Sequence, residues 1–148
     1  MSDLKLQLTA DMKSAMKSKQ KERLSTIRMV LAAIKQKEVD ERITIIDDHV
    51  IDIISKMIKQ RKDSAQQFTQ ANRPELAEKE LAEIEVLTDY LPQSLSQDEI
   101  KAFAEAAITA MGASSIKDMG KVMGNIRPNV HGRADMGDVG AIIKALLQ

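Results

Sequence analysis

The sequence predicts an all-α fold: an amino-terminal unit of long, hairpin-like helices, followed by a smaller three-helix carboxy-terminal unit. Apolar residues recur every three or four positions along nearly the whole chain, which is the spacing of one face of an α-helix. Start and stop signals divide this pattern into segments of ordinary helix length. The clearest are Pro74 at a first helical position, the Ser96-x-x-Glu99 capping box and Gly112 after an apolar run.

The first unit contains four predicted helices, over residues 3–17, 21–42, 48–71 and 74–90. The segment 18–20 separates the first two, and the β-branched segment 43–46 forms a connector. Asp47 is a suitable N-cap for the third helix. Inward-facing positions in this unit include Leu8, Met16, Leu31, Ile54 and Leu81. Arg61 continues the apolar face of the third helix, so its charge must either snorkel to solvent or pair, and an acid of a neighbouring helix is the favoured partner.

Pro92 ends the fourth helix, and residues 92–95 form a predicted linker between a unit at 1–91 and a unit at 96–148. The second unit begins with the helix that the capping box opens and Gly112 ends. A further helix covers about 115–126, with Ser115 and Asp118 in a capping arrangement. Gly124, Pro128 and Gly132 predict a loop over 124–134, and Asp135 caps a last helix.

Composition excludes several classes of protein. The 148 residues contain no cysteine, which rules out disulfides, thiolate zinc sites, iron–sulfur clusters and cysteine nucleophiles. No apolar run approaches the roughly 20 residues of a membrane helix, and the first residues carry acids without the apolar block of a secretory signal. We therefore expect a cytoplasmic protein without a membrane partner. Two Phe and one Tyr argue against stacking of bases on aromatic platforms.

No motif for catalysis, metal binding or nucleotide binding is present. His49 and His131 lack a second ligand at metal-binding spacing, so surface positions are expected for both. The Gly120-Lys121 pair lacks the upstream glycine and the following hydroxyl residue of a phosphate-binding P-loop. A solvated helix face explains the glutamates near residue 80 better than a metal site does. We expect no catalytic residue, no metal and no cofactor.

Positive charge is the strongest functional signal, although 22 basic and 22 acidic residues balance. Residues 12–37 contain eight basic side chains and one acid, and Lys21, Arg28 and Lys35 repeat every seven residues along one predicted helix side. Such a stripe is either a solvated helix face or a set of phosphate contacts. A second basic set lies near the carboxyl end, at Lys117, Lys121, Arg127 and Arg133, with Lys144 as a further candidate.

Four segments carry a resemblance to a known family: RLSTIRMVLAAIKQKEVDER (23–42), MIKQRKDSAQQF (57–68), AEIEVLTDYLP (82–92) and KDMGKVMGNIRPNVHGRADMG (117–137). Together they resemble the YqeY family. That family shares its fold with the tail domain of the B subunit of the glutamine-dependent Asp-tRNA/Glu-tRNA amidotransferase, and a related helical module begins some glutaminyl-tRNA synthetases. The resemblance implies a longer helical part followed by a three-helix part.

In the amidotransferase the tail domain helps to hold tRNA, while other domains perform the chemistry. The segment 117–137 is the part most like that tail. The resemblance therefore implies RNA contacts at Lys117, Lys121, Arg127 and Arg133, with the turn at Gly132 between the two arginines.

Three hypotheses follow. The first is a non-catalytic module that binds tRNA or another structured RNA by shape and phosphates, or assists aminoacylation or amidation beside a tRNA synthetase or amidotransferase. The second is a protein–protein adaptor that does not bind RNA. The third, implied by the resemblance alone, is a carbon–nitrogen ligase with glutamine as amido-nitrogen donor. The chain has no amidase signature and no nucleotide loop to support that chemistry, and shared fold alone does not transfer it.

Overall fold

Helices account for the regular structure of residues 2–148, which the computed structural model describes. The α-helices are α1 (Asp3–Lys17), α2 (Lys21–Glu41), α3 (Asp47–Gln70), α4 (Pro74–Thr88), α5 (Gln97–Met111), α6 (Met119–Val130) and α7 (Met136–Leu147). A 3₁₀ turn, Ile116–Asp118, leads into α6. The described residues contain no strand, which confirms the all-α prediction. None of these helices combines the length and the apolar composition needed to cross a membrane.

Contacts divide the chain into two compact units, Met1–Leu91 and Pro92–Gln148. In the first unit, Lys5 near the start of α1 pairs with Glu38 near the end of α2, so these helices run antiparallel. The helices α3 and α4 form a second hairpin, and α4 also packs on α2. The centre of this unit is apolar and fully buried. It contains Leu8, Ile27, Ile34, Ile54 and Leu87.

Polar contacts tie the helices of the first unit together around this core. The predicted ion pair of Arg61 is confirmed: its Nε donates to Oε2 of Glu83 on α4 at 2.8 Å, and its Nη1 donates to the Met57 carbonyl at 3.2 Å. The Tyr90 hydroxyl donates to Asp11 on α1 at 2.6 Å. Burial, together with this hydrogen bond, raises the pKa of Tyr90.

Two expectations for helix ends and faces in this unit are wrong. Asp47 lies at the first position of α3 and does not cap it; Ile46 is the N-cap, and its N–H donates to Nδ1 of His49 at 3.1 Å. The Asp47 carboxylate instead accepts from the Ser2 hydroxyl and from the Leu4 N–H, and these bonds lower the pKa of Asp47.

Met16 and Leu81, expected to face inward, are 49% and 52% exposed, whereas Leu31 packs partly buried against the core. Met16 lies in the last turn of α1, where the buried position is taken by its neighbour Ala15. Leu81 lies at the edge of the apolar stripe of α4, because this helix buries Ala77 and Leu87 instead. A spacing of three or four residues defines the stripe but not its centre.

The second unit packs α5, α6 and α7 around a separate apolar core. Its fully buried side chains include Ala104, Val122, Ile126, Val139 and Ile143. The capping box is confirmed, with Glu99 N–H donating to Ser96 Oγ and Ser96 N–H donating to Glu99 Oε1, each at 3.1 Å. Gly112 ends α5 with φ +60°, and the Asp135 carboxylate caps α7 as expected.

The predicted loop at 124–134 is wrong over most of its length, because α6 continues through Gly124 and Pro128 to Val130. Ile126 and Val130 are fully buried on its inner side, so packing outweighs the weak helix propensity of glycine and proline. The predicted cap at Ser115 also differs. Its side chain makes no cap hydrogen bond, and Asp118 instead accepts from the Ser114 N–H at 3.0 Å.

Candidate nucleic-acid and protein-binding surfaces

The three predicted cations of α2 share one exposed side of that helix. Lys21, Arg28 and Lys35 are all exposed, and successive members are about 10.5 Å apart along the axis because an α-helix rises about 1.5 Å per residue. Within the described part of the chain, none of the three forms an ion pair. The sequence pattern therefore describes a real row of free positive charge.

A shallow groove of about 420 Å³ runs along this side of α2. Lys21 and Arg28 lie at its rim, and Leu24, Met29 and Ala32 supply apolar lining. Val39, which lies on the same side one turn beyond Lys35, is 60% exposed. The row of cations thus borders apolar surface, which a phosphate backbone does not use.

A wider cleft of about 1190 Å³ separates the start of α2 from α4. The wall at the start of α2 carries three cations and one acid, and the α4 wall carries four acids and one cation. They are Lys19, Lys21, Arg23 and Glu22 on the first wall, and Glu75, Glu78, Glu83, Glu85 and Lys79 on the second. Glu83 is held by Arg61, and Arg23 approaches Asp89 at 4.0 Å. The remaining charges of the two walls do not pair with each other among residues 2–148.

The predicted cations of the second unit lie on and beside α6. Lys117 in the 3₁₀ turn, Lys121 and Arg127 are exposed, and they have no ion-pair partner in the described sequence. The helix itself contains no acid. Lys144 is also exposed. It lies in the last turn of α7, where a cation interacts favourably with the negative end of the helix dipole.

Two glycines occupy the exposed surface of α6 on the side of Arg127. Gly120 and Gly124 precede Arg127 by seven and three residues, so the three positions share a helix face. A Cβ added to either glycine would meet nothing within 4 Å. Neither packing nor backbone conformation therefore requires glycine here, although glycine in a helix costs about 1 kcal/mol relative to alanine.

Arg133 differs from the other predicted contacts because its guanidinium is used inside its own unit. Its Nε donates to the Gln93 carbonyl at 3.1 Å and its Nη1 to the Asn129 carbonyl at 3.3 Å. The Arg133 carbonyl in turn accepts from the Leu95 N–H at 2.8 Å. Arg133 thus holds the segment before α5 against the end of α6, and Gly132, at φ +72°, makes the turn into it. No sequence signal distinguished this residue from its basic neighbours.

The residues with shifted pKa values, Asp47, Tyr90 and Glu99, take part in structural contacts and do not belong to the cationic surfaces. The Ser96 backbone N–H, with the Ser96 side chain, lowers the pKa of Glu99 in the capping box, and Tyr90 and Asp47 belong to the helix ties already described. Residues 2–148 also hold no cluster of three or more His, Asp or Glu side chains suited to a metal ion.

The chain matches the family model described as Yqey-like protein over residues 5–147. It is also similar to proteins named "Altered inheritance of mitochondria protein 41, mitochondrial". The relative from Lachancea thermotolerans is 40% identical over 111 residues, which are 73% of this chain and 59% of the relative. That from Kluyveromyces lactis is 40% identical over 111 residues, 72% of this chain and 60% of the relative. That from Pyrenophora tritici-repentis is 33% identical over 129 residues, 86% of this chain and 71% of the relative.

The chain spans about three fifths of the length of the first two relatives. The names of all three place those proteins in mitochondria, which contradicts the cytoplasmic location predicted from the sequence. That prediction was wrong because its grounds were too weak. Lack of cysteine and lack of a secretory signal argue against the secretory route but do not choose among the other compartments.

Proposed function

The chain belongs to the Yqey-like protein family, and from this premise we propose that it is a helical module that binds structured RNA, with tRNA as the first candidate. Binding is through phosphates and shape, and the module contributes no chemistry of its own. It would act beside an enzyme of tRNA aminoacylation or amidation. The tRNA-holding role of the resembling amidotransferase tail domain supports the choice of RNA.

One observation carries the proposal: Lys117, Lys121 and Arg127 are exposed, and the helix that carries the last two, α6, contains no acid. An unpaired surface cation is free to replace a counterion on a phosphate. A neighbouring carboxylate would repel the same phosphate. The residues of α6 include none, and the carboxylate of Asp118 at its N-cap is engaged by the Ser114 N–H. Donors held on a folded helix suit the positioning of a backbone rather than the reading of bases.

The two exposed glycines of α6 support the same surface. Gly120 and Gly124 leave the helix backbone uncovered next to Arg127, and the structure gives no packing reason for glycine at either position. Glycine is commonly used where another backbone must approach closely. On this surface the approaching backbone is that of the RNA, brought within reach of the flanking cations.

The aromatic residues support recognition of backbone and shape over recognition of bases. Tyr90 is buried, and Phe68 and Phe103 are half-buried in their own units. Single-stranded RNA is usually bound by stacking its bases on exposed aromatic rings. These three rings are not exposed for that purpose, so a folded RNA is the better candidate.

The test is binding of total tRNA to the full chain at about 50 and 200 mM salt. We expect micromolar binding that weakens with salt. The variant K117A/K121A/R127A should bind tRNA at least about tenfold more weakly than the unsubstituted chain at the lower salt. The negative slope of log affinity against log salt should become shallower by about three, because three phosphate contacts are lost.

A matched control removes three exposed cations from other helices. Lys59 and Lys62 on α3 and Lys101 on α5 are exposed, and K59A/K62A/K101A should bind tRNA nearly as the unsubstituted chain does. Circular dichroism should show that all three proteins are equally folded. Absence of binding at 50 mM salt would refute the function, and unchanged affinity in the triple variant would refute this surface.

A further inference from the structure

Two eight-residue segments on the walls of the α2/α4 cleft have the same apolar pattern and opposite charges. They read KERLSTIR at 21–28 and EKELAEIE at 78–85. In both, leucine is fourth, a small residue fifth and isoleucine seventh. At the first, second, third and eighth positions every charge is inverted. The two segments are therefore complementary surfaces in the same helical register.

The ends of both segments are exposed and equally spaced. Lys21 and Arg28 on α2, and Glu78 and Glu85 on α4, all face solvent. Each pair is seven residues apart, which is about 10.5 Å along a helix. An α2 helix laid against an α4 helix can therefore form both ion pairs at once.

Apolar surface lies between the charges on each helix. Leu81 lies three residues after Glu78 and four before Glu85, and it is 52% exposed. The groove of about 420 Å³ on α2 lies between Lys21 and Arg28, with Leu24 and Met29 in its lining. Small residues, Ser25 and Ala82, occupy the matching positions next to these leucines, so two helices can approach closely.

The complementarity is not used within one chain. Although α2 and α4 belong to the same unit, the cleft of about 1190 Å³ separates their charged walls. Arg23 of the α2 wall approaches Asp89, just beyond the end of α4, at 4.0 Å. Lys21, Arg28, Glu78 and Glu85 form no ion pair there.

We propose that this surface binds a second copy of the chain, with α2 of each copy against α4 of the other. A two-fold arrangement requires one self-complementary patch, and the exposed pairs Lys21/Arg28 on α2 and Glu78/Glu85 on α4 provide it. Leu81 of one copy enters the α2 groove of the other. In a parallel alignment the flanking ion pairs are Lys21–Glu78 and Arg28–Glu85, and in an antiparallel alignment they are Lys21–Glu85 and Arg28–Glu78. The formal net charge of zero adds no long-range repulsion between copies.

The test measures the mass of the full chain by sedimentation over a concentration series at low and high salt. We expect a dimer in the micromolar range at low salt that dissociates more readily at high salt. The variants K21E/R28E and E78K/E85K each place like charges in contact, so each should weaken dimerisation by about 100-fold or more. All four positions are exposed, so thermal melting of the monomers should stay unchanged.

Mixing the two reversed variants gives the decisive result. One copy then carries acidic faces on both helices and the other carries basic faces, so a heterodimer should form although neither variant dimerises alone. K101E/K144E alters the net charge as K21E/R28E does, at exposed positions of the second unit, and should dimerise as the unsubstituted chain does. L81A should weaken the dimer by about tenfold through loss of its buried contact.

Several outcomes would overturn the proposal. One is a chain that stays monomeric at millimolar concentration and low salt. Others are a dimer that K21E/R28E leaves intact, or a mixture of the two reversed variants that remains monomeric. A monomer whose K21E/R28E variant loses tRNA affinity would show instead that this face of α2 binds RNA.

Discussion

The exposed cations of α2 and of α6 have the same charge but different surroundings. On α2, Lys21 and Arg28 border a groove with apolar lining, and Lys21 also faces the acidic wall of α4 across a cleft. On α6, Arg127 lies beside two bare glycines on a helix without acids. A basic row alone does not identify its partner. The neighbouring surface is the reason why we propose a helix with carboxylates as the partner of α2 and a phosphate backbone as the partner of α6.

The first prediction concerns a feature common to α2 and α6: each helix buries an isoleucine in the core of its own unit. Ile27 beneath the α2 surface and Ile126 beneath the α6 surface are both fully buried. Ile27→Ala and Ile126→Ala should each lower the free energy of unfolding by about 2–5 kcal/mol, through lost burial and the cavity left behind. Denaturant unfolding followed by circular dichroism measures both. A loss below about 0.5 kcal/mol for either would show that the helix presents a different face.

The second prediction concerns the ion pair of Arg61 and Glu83 in the first unit. Their side chains are only 13% and 17% exposed, and Arg61 also donates to the sulfur of Met29 on α2. Glu83→Ala leaves the guanidinium without its partner and should cost about 1.5–3 kcal/mol of unfolding free energy.

The control for this pair is the double variant R61M/E83L, which replaces both charges with apolar side chains of similar size. It should unfold with nearly the original free energy, because removing both partners avoids an unpaired charge. A double variant as unstable as Glu83→Ala would mean that the loss comes from packing and not from the charge. Chemical denaturation of the single and double variants separates these results.

The third prediction separates stability from function at the α6 glycines. Gly120→Ala and Gly124→Ala meet open space, so each should stabilise the chain by about 0.4–1 kcal/mol. Each should also weaken tRNA binding several-fold by holding the RNA backbone away from the helix. Gly140→Ala in α7, where a Cβ makes an ordinary contact with Met119 at 3.5 Å, should leave RNA affinity unchanged. Alanines at 120 and 124 that leave RNA affinity unchanged would remove the glycine argument.

The smallest expected effect is the pH dependence of one helix tie. The hydrogen bonds from Ser2 and Leu4 lower the pKa of Asp47 below its ordinary value in the folded chain. The stability they supply is therefore complete above pH 4 or so, and disappears as the pH falls through the lowered pKa. Asp47→Asn should reduce stability at pH 6 and converge with the unsubstituted chain in strong acid. Parallel curves of unfolding free energy against pH would rule out this role.

Local signals predicted most of the fold. The boundaries of α1 and α5, the capping box at Ser96 and the stop at Gly112 follow from spacing and capping chemistry, which involve neighbours in sequence. The errors arose where distant contacts decide the structure. Val130 extends α6 through Pro128 because it is buried, and Asp47 bonds to a residue 45 positions away instead of capping its own helix.

The candidate surfaces show the same limit. Charge and spacing identified Lys21, Arg28 and Lys35 as an exposed row, and Lys117, Lys121 and Arg127 as exposed cations. The sequence could not reveal that Arg133 binds backbone carbonyls of its own unit, because every residue has a carbonyl and no residue type marks the two that it contacts. The inverted charges of segments 21–28 and 78–85 can be read from the sequence. The sequence does not show that residues of both segments line the same cleft.

We propose that RNA binds the α6 surface and not the α2 surface. The most direct measurement compares tRNA affinity in low salt for the unsubstituted chain, K21E/R28E/K35E and K117E/K121E/R127E, at concentrations where all three are monomeric. Each triple reversal changes the net charge equally, so only the position of the charges differs. We predict that the α6 variant loses most of its affinity and that the α2 variant keeps nearly all of it. The opposite result, or an equal loss in both variants, would contradict the distinction between the two surfaces.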